Sequence, residues 1–241
     1  MKSKKNNEMK TGIILFMLLL LFAACDQQKN NEEWEDLLVK QNFEDFEMLE
    51  GEGEWYFEDS ILIGECLIGN PNSYLCTKKS YSDFVMELDF QVGNKINSGV
   101  QVRTTVHKND TNITYVNGRL TPIIDKLFKK GSIYGYQIEM DPSERAWTGG
   151  LYQVGGRGWI VHLKDNPKAQ QAYKNEGWNH MRIKCKGDSI ATWINGVQAV
   201  STTDKLFDFG AVGFQLHKIN KQEQQGQKIK FKNVKIKTIT D

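Results

Sequence analysis

Apolar and polar residues alternate with a two-residue period along three short runs, residues 99–103, 135–141 and 213–217. Read as strands, they place Val100, Val102, Tyr136, Ile138, Met140, Phe214 and Leu216 on one face. Gln101, Arg103, Gln137, Glu139, Asp141, Gln215 and His217 fall on the other. A solvated strand face ordinarily carries Lys, Thr and Ser, which tolerate water without partners. Amides, carboxylates, a guanidinium and an imidazole side by side form a hydrogen-bonding surface suited to a polar ligand. The function is expected there.

The rest of the chain is a succession of similar short runs: 54–57, 61–67, 73–77, 84–92, 178–186, 189–194, 197–202 and 228–236. Turn signals separate them, including Lys186-Gly-Asp188 and the hairpin dipeptide Asn195-Gly196. Helical pattern is scarce. Residues 165–173 read as one short helix, with Asp165 or Asn166 capping and Pro167 in the first turn. Single turns are expected over 204–209 and 34–39. Many strands and almost no helix predict an all-β sandwich of two antiparallel sheets, for which jelly-roll and immunoglobulin-like orders both remain open.

Two segments, 105–133 and 142–177, are too long for hairpin loops and follow strands that carry the polar row. Segments of this kind commonly wall a binding site. The second holds Arg145, Trp147, Tyr152, Arg157, Trp159 and His162. Aromatic rings beside charged groups suit sugars, whose C–H faces stack while their hydroxyls bond. Trp147 and Trp159 equally suit a plug that packs the segment onto the sandwich.

At the start of the 241-residue chain, Lys2, Lys4, Lys5 and Lys10 precede an apolar run over 12–24 and then Cys25. That run is shorter than the ~20 residues a spanning helix needs, and it reads as an export signal. Leu21-Phe-Ala-Ala-Cys25 resembles a bacterial lipobox, which makes Cys25 the lipidated first residue of the mature chain. Phe22 departs from the usual leucine, so plain secretion is the alternative. Residues 25–40 are then a tether and 41–241 one domain, lipid-anchored in a bacterial cell envelope, periplasmic or outer-membrane. Cleavage after residue 24 removes four Lys and one Glu, leaving 27 basic and 29 acidic residues. A net charge near −2 gives no reason to expect nucleic acid, and the membrane is met through the anchor alone. Cys66 and Cys76 flank the turn signal Gly69-Asn-Pro-Asn72. A hairpin there would set the two thiols opposite each other, as a disulfide or as two separate buried groups, with Cys185 unpaired. No Cys/His spacing indicates a zinc site.

Taken in order, NSGV (97–100), Arg103, GYQIEMD (135–141), TGGLY (148–152), GWNH (177–180), WING (193–196) and GFQLH (213–217) resemble the 3-keto-disaccharide hydrolase family. The resemblance runs from about Trp55 to Ile236. It implies a concanavalin-A-like jelly roll, related to lectin and glucanase folds, with long loops over a concave sheet that carries the ligand site. It also implies a carbohydrate partner, a glycoside or 3-keto-glycoside. Relatives of this type continue YDEGRRGW where this chain has YQVGGRGW (152–159), so two acids and one arginine are missing while Arg157 and Trp159 match. That departure opens altered specificity or a non-catalytic carbohydrate-binding role.

Glu139 and Asp141 lie two apart on one strand, about 6.6 Å between Cα atoms. Glucanases of this fold use a Glu-x-Asp-x-Glu strand, and Gln137 in its first position can neither attack nor donate a catalytic proton. Retaining hydrolysis needs two carboxyl groups about 5–5.5 Å apart, which places a glucanase-like reaction second. A 3-keto sugar offers another route. A base removes the proton at C2, which the ketone acidifies; the enolate expels the C1 substituent; water then adds. Glu139 or His217 is the expected base, Arg103 the enolate stabiliser and Asp141 an orienting group or metal ligand. Gln101, Gln137, Gln215, Arg145, Tyr152, Arg157 and Trp159 are expected to bind substrate. Glu139, Asp141 and His217 together are also a plausible donor set for a divalent cation.

Overall fold

A computed structural model describes residues 33–115 and 124–240. The signal segment, Cys25 and the tether up to residue 32 lie outside the described residues. Two large antiparallel sheets make up the body. The first runs β15 (Val197–Thr203), β14 (Ser189–Ile194), β13 (Asn179–Lys186), β6 (Phe84–Val92), β17 (Lys228–Thr238), β4 (Ile61–Glu65) and β3 (Glu54–Glu58), with β1 (Glu35–Asp36) against β17. The second runs β12 (Gly158–Val161), β11 (Leu151–Val154), β10 (Ile133–Met140), β7 (Ser98–Val106), β16 (Gly210–Leu216), β5 (Ser73–Tyr81) and β2 (Phe46–Glu50). A separate hairpin joins β8 (Thr111–Tyr115) to β9 (Ile124–Phe128). The fold is a jelly-roll sandwich, as the resemblance implied.

The sheets differ in how they meet water. Along β13 the burial alternates strictly, with Met181, Ile183 and Cys185 inward and His180, Arg182, Lys184 and Lys186 outward. That is the signature of a sheet wet on one face. Every residue of β16 is buried, and almost all of β10 and β7. The inner face of this second sheet supplies Val100, Val102, Tyr136, Ile138, Met140, Phe214 and Leu216 to the core, the apolar row expected of them. Phe214 meets Phe231 of the first sheet with ring centroids 4.3 Å apart. Its outer face is buried too, although it is polar. Part of the second long segment lies over it, with Arg145, Tyr152 and Trp159 beside Gln137 and Glu139. The segment after β10 adds β11 and β12 to the sheet and a helix α1 (Pro167–Ala172). Asn166 caps α1 by accepting from the Ala169 N–H at 3.2 Å, and its amide donates to the Gln198 and Ala199 carbonyls. Pro167 opens the helix, where a missing N–H costs nothing.

Several local expectations are corrected. Residues 61–67 and 73–77 do not form a hairpin: β4 lies in the first sheet and β5 in the second, so the Gly69–Asn72 turn carries the chain across the sandwich. Cys66 points into the main core, Cys76 into a small cluster beneath the outer face, and both are free thiols, as is Cys185. Residues 34–39 hold the two-residue β1 in place of a helical turn, with Glu35 opposite Ile236. The span 204–209 contains no helix.

Candidate functional site

The polar floor is built by direct cross-strand pairing. Gln101 of β7 stands opposite Gln137 of β10, and Gln215 of β16 opposite Tyr74 of β5. The Gln101 amide donates to Gln137 Oε1 at 2.7 Å, and the Gln137 amide donates to Glu139 Oε2 at 2.8 Å. Gly99 makes this possible. A Cβ there would stand 2.5 Å from Gln137 Cγ, so only glycine lets the glutamine lie flat across the strand toward Glu139. The other carboxylate oxygen, Oε1, accepts from Asn97 at 3.3 Å. Gln215 donates to the Tyr74 hydroxyl at 3.2 Å. Asn97 Oδ1, Gln101 Oε1 and Gln215 Oε1 are buried acceptors with no protein partner. Buried polar atoms are ordinarily satisfied.

These residues lie beneath a hollow of about 360 Å³, lined among others by Glu139, Gln137, Arg145, Tyr152, Trp159 and His217. Glu139 is 4% exposed. Burial pushes its carboxyl up to about 7, with the charge of Asp141 adding to the rise and the Gln137, Arg145 and Asn97 contacts opposing it. A group that titrates near neutrality is poised to exchange a proton. Asp141 goes the other way. Its burial also disfavours charge but is outweighed by bonds from Ser143 and from Arg145 Nε at 2.7 Å, so its carboxyl sits below the usual range. Two carboxyl groups two residues apart are thus shifted in opposite directions, the pattern that separates an exchangeable proton from a fixed charge.

Arg145 is the cation of the site. Its Nη2 lies 4.0 Å from Glu139 Oε1 while its Nε holds Asp141. The guanidinium rests on the rings of Trp147 and Trp159, 4.5 and 5.3 Å from their centroids. Trp159 in turn meets the edges of Trp147 and Tyr152, and His162 stacks on Trp147 at 4.6 Å. The long segment therefore delivers an arginine seated on an aromatic wall. His217 lines the hollow at the end of β16. Its Nδ1 is 2.7 Å from the Lys218 carbonyl, an acceptor only, so Nδ1 carries hydrogen and Nε2 is the ring nitrogen that this bond does not engage.

Two expected members are elsewhere. Arg103 is 1% exposed and turned away from Glu139. It sits at a β-bulge, where β7 has one residue more than both neighbours and its φ is +50°. The extra residue breaks the two-residue alternation and sends the side chain to the other side of the sheet. There it donates to Ser82 O, Gly187 O, Phe207 O and Asp83 Oδ1, tying three connections at one end of the sandwich. Arg157 is likewise structural: it pairs bidentately with Asp204 at 2.7 and 3.0 Å and donates to Gln153. Gln101 supports the floor without lining the hollow. His107 is clasped between Tyr134 and Phe128, and His180 faces Asp89 on the outside of the first sheet. Among the described residues no three His, Cys, Asp or Glu side chains gather at metal-binding distance. Between Glu139 and Asp141 the counter-charge is Arg145, so the set Glu139, Asp141 and His217 does not fit a divalent cation.

Asn72, Tyr74 and Asn97 also line the hollow and were not singled out as site residues from the sequence. Asn97 opens the NSGV motif and Asn72 closes a turn motif, but nothing in the pattern aimed either at the polar face. Tyr74 sits outward between two inward-pointing neighbours in a strand whose outer positions look apolar.

No curated protein is similar enough in sequence to match. Among solved structures, a candidate glycosyl hydrolase from Parabacteroides distasonis superposes with a TM-score of 0.55 at 17% identity, covering 89% of this chain and 98% of that one. A second from the same organism gives 0.52 at 21% identity, over 86% and 100%. A Bacillus subtilis protein of unknown function with a galectin-like fold gives 0.56 at 15%, over 86% and 94%. At these identities the likeness concerns the fold. The family model reaches further, because it spans residues 34–237, both sheets and every residue of the hollow: the chain belongs to the 3-keto-alpha-glucoside-1,2-lyase-like domain family.

Proposed function

We propose that the protein cleaves 3-keto-glycosides by removing the C2 proton and eliminating the C1 substituent, with Glu139 as the base. The observation that carries this reading is the buried Glu139 carboxyl, pushed up to about 7 on the floor of a hollow it shares with one cation, Arg145. Glu139 takes the proton from C2, and the electron pair becomes the enolate of the 3-ketone. Arg145, in place of Arg103, offers positive charge to that enolate oxygen. The enolate then forms the C1–C2 double bond as the C1–O bond breaks. The departing oxygen takes a proton from His217 Nε2, and addition of water to the unsaturated ketone completes net hydrolysis. Tyr152 and Trp159 give the sugar ring apolar edges to pack on, while Gln137, Gln215, Asn97 and Tyr74 supply donors and acceptors for its hydroxyls.

Direct hydrolysis by a carboxylate pair is less well supported. Asp141, the partner such a reaction would use, is locked by Arg145 and Ser143. The test is to supply a glucoside and its 3-keto form to the native protein and to Glu139→Gln. Turnover confined to the keto sugar is expected, and the substitution should lower it about 10²–10⁴-fold. Equal turnover of the plain glucoside, or full activity of Glu139→Gln, would remove the proposal; binding without turnover would mark a carbohydrate-binding protein. The envelope location belongs to the same proposal: residues 1–24 as a lipoprotein signal and Cys25 as the lipidated anchor.

A further inference from the structure

A second hollow, of about 440 Å³, adjoins the first and shares Asn97, Arg145 and His217 with it. The two halves differ in chemistry. No lysine lines the first, whereas Lys95, Lys218 and Lys221 line the second. Those three ammonium groups have no carboxylate partner among the described residues. The only acid in the second lining, Asp141, is already held by Arg145 at 2.7 Å. Its apolar lining comes from the buried Ile96 and Ile219 and from Pro142.

The lysines stand on fixed backbone. Gln224 accepts from the N–H groups of Asn220 and Lys221 at 3.3 and 3.2 Å and donates to the Lys95 carbonyl at 2.8 Å, stapling the two walls together. The Lys218 N–H donates to Asn72 Oδ1, which lines the first hollow, so the two compartments share a frame. An uncompensated positive rim on an apolar, braced recess is a receptor for a group that is part apolar and part anionic.

We infer that the second hollow is the leaving-group subsite and that it selects glycosides whose leaving group has an apolar body and an anionic end, a carboxylate or a sulfonate. The inference rests on the reading of the first hollow as the sugar site. His217 stands at the junction, where the C1 oxygen would pass from one compartment to the other.

Binding separates this inference from the reaction. The full chain carrying Glu139→Gln is titrated calorimetrically with the 4-carboxyphenyl, 4-sulfophenyl and neutral 4-carbamoylphenyl 3-keto-glucosides. At low ionic strength the anionic pair should bind about tenfold tighter than the neutral one, an advantage that added salt erodes. In a Lys95→Gln, Lys218→Gln, Lys221→Gln background the ratio should fall to near one. Preference for one anion alone keeps the subsite and narrows its class. Equal affinity for all three, no binding of any, or a preference that survives loss of the lysines would overturn it. Preferential binding without any turnover by the native protein would sink the elimination reaction and leave the anionic subsite standing.

Discussion

Glu139 links the stability of the protein to its chemistry through one proton. Its carboxyl is raised from the ordinary 4.5 to about 7, chiefly by burial. Below about pH 4.5 the group is protonated whether the chain is folded or not, and the folded state bears no penalty. Between those values the unfolded chain ionises first, so the folded state loses stability as pH climbs through about 7. The full difference is roughly 3 kcal/mol. Urea unfolding at pH 4.5 and pH 8 should show the native protein losing about that much relative to Glu139→Gln, which has no charge to bury. An unchanged gap would mean the carboxyl is not desolvated. Activity should rise across the same window, because the base works only when ionised. On the proposed mechanism the residue is most useful where it is least comfortable, as buried catalytic acids and bases commonly are.

Strand β7 decides which end of the molecule each of its polar residues serves. Before the bulge, Gln101 lies on the outer face and supports Gln137; after it, Arg103 crosses to the far side and uses every N–H of its guanidinium on four groups. Such a fully engaged buried cation is costly to truncate. Arg103→Ala should lower the unfolding free energy by about 3–5 kcal/mol, and Arg103→Lys should recover little because an ammonium lacks the planar fork. What survives of Arg103→Lys at low temperature should bind the keto sugar normally; loss of binding in folded protein would return Arg103 to the site. The bulge also marks where legibility ended. Periodicity assigned Val100, Gln101, Val102, Ile138 and Glu139 to the correct faces, since a regular strand has no other choice. It failed at Arg103 because nothing in the local sequence announces one extra residue against both neighbours. It failed at the Gly69–Asn72 turn because the same residues serve a hairpin and a crossing between sheets. Arg145 was legible as a binder, but its role as the site's cation depends on Trp147 and Trp159 folding beneath it.

For the whole molecule, the asymmetry between the sheets is the governing fact. The first sheet is wet on one face, while strands β16, β10 and β7 of the second are almost wholly buried and the polar groups of their outer face floor the hollow. The family resemblance was visible in the order of the motifs, and so was the sandwich; the pairing of Arg157 with Asp204 was not, since these residues are 47 apart and meet only through the fold. Glu35 and Asp36, inside the stretch expected to be a tether, pair as β1 with β17 of the first sheet. Full-length protein made in a lipoprotein-processing bacterium should partition into the detergent phase, and Cys25→Ala should move it to the aqueous phase. Identical partitioning of the two would exclude the anchor and leave secretion.

The amide row under Glu139 carries one further consequence. Gln137 and Asn97 hold the carboxylate in place, with Gln101 behind Gln137, and none of the three titrates, so the amide row itself passes no proton on. A hydrogen ion captured by Glu139 leaves on the side of the hollow, not through the amides. Deuterium lifted from C2 should accordingly be returned in part to C2 when water adds at C1, and the fraction retained is set by how tightly the sugar seals the opening.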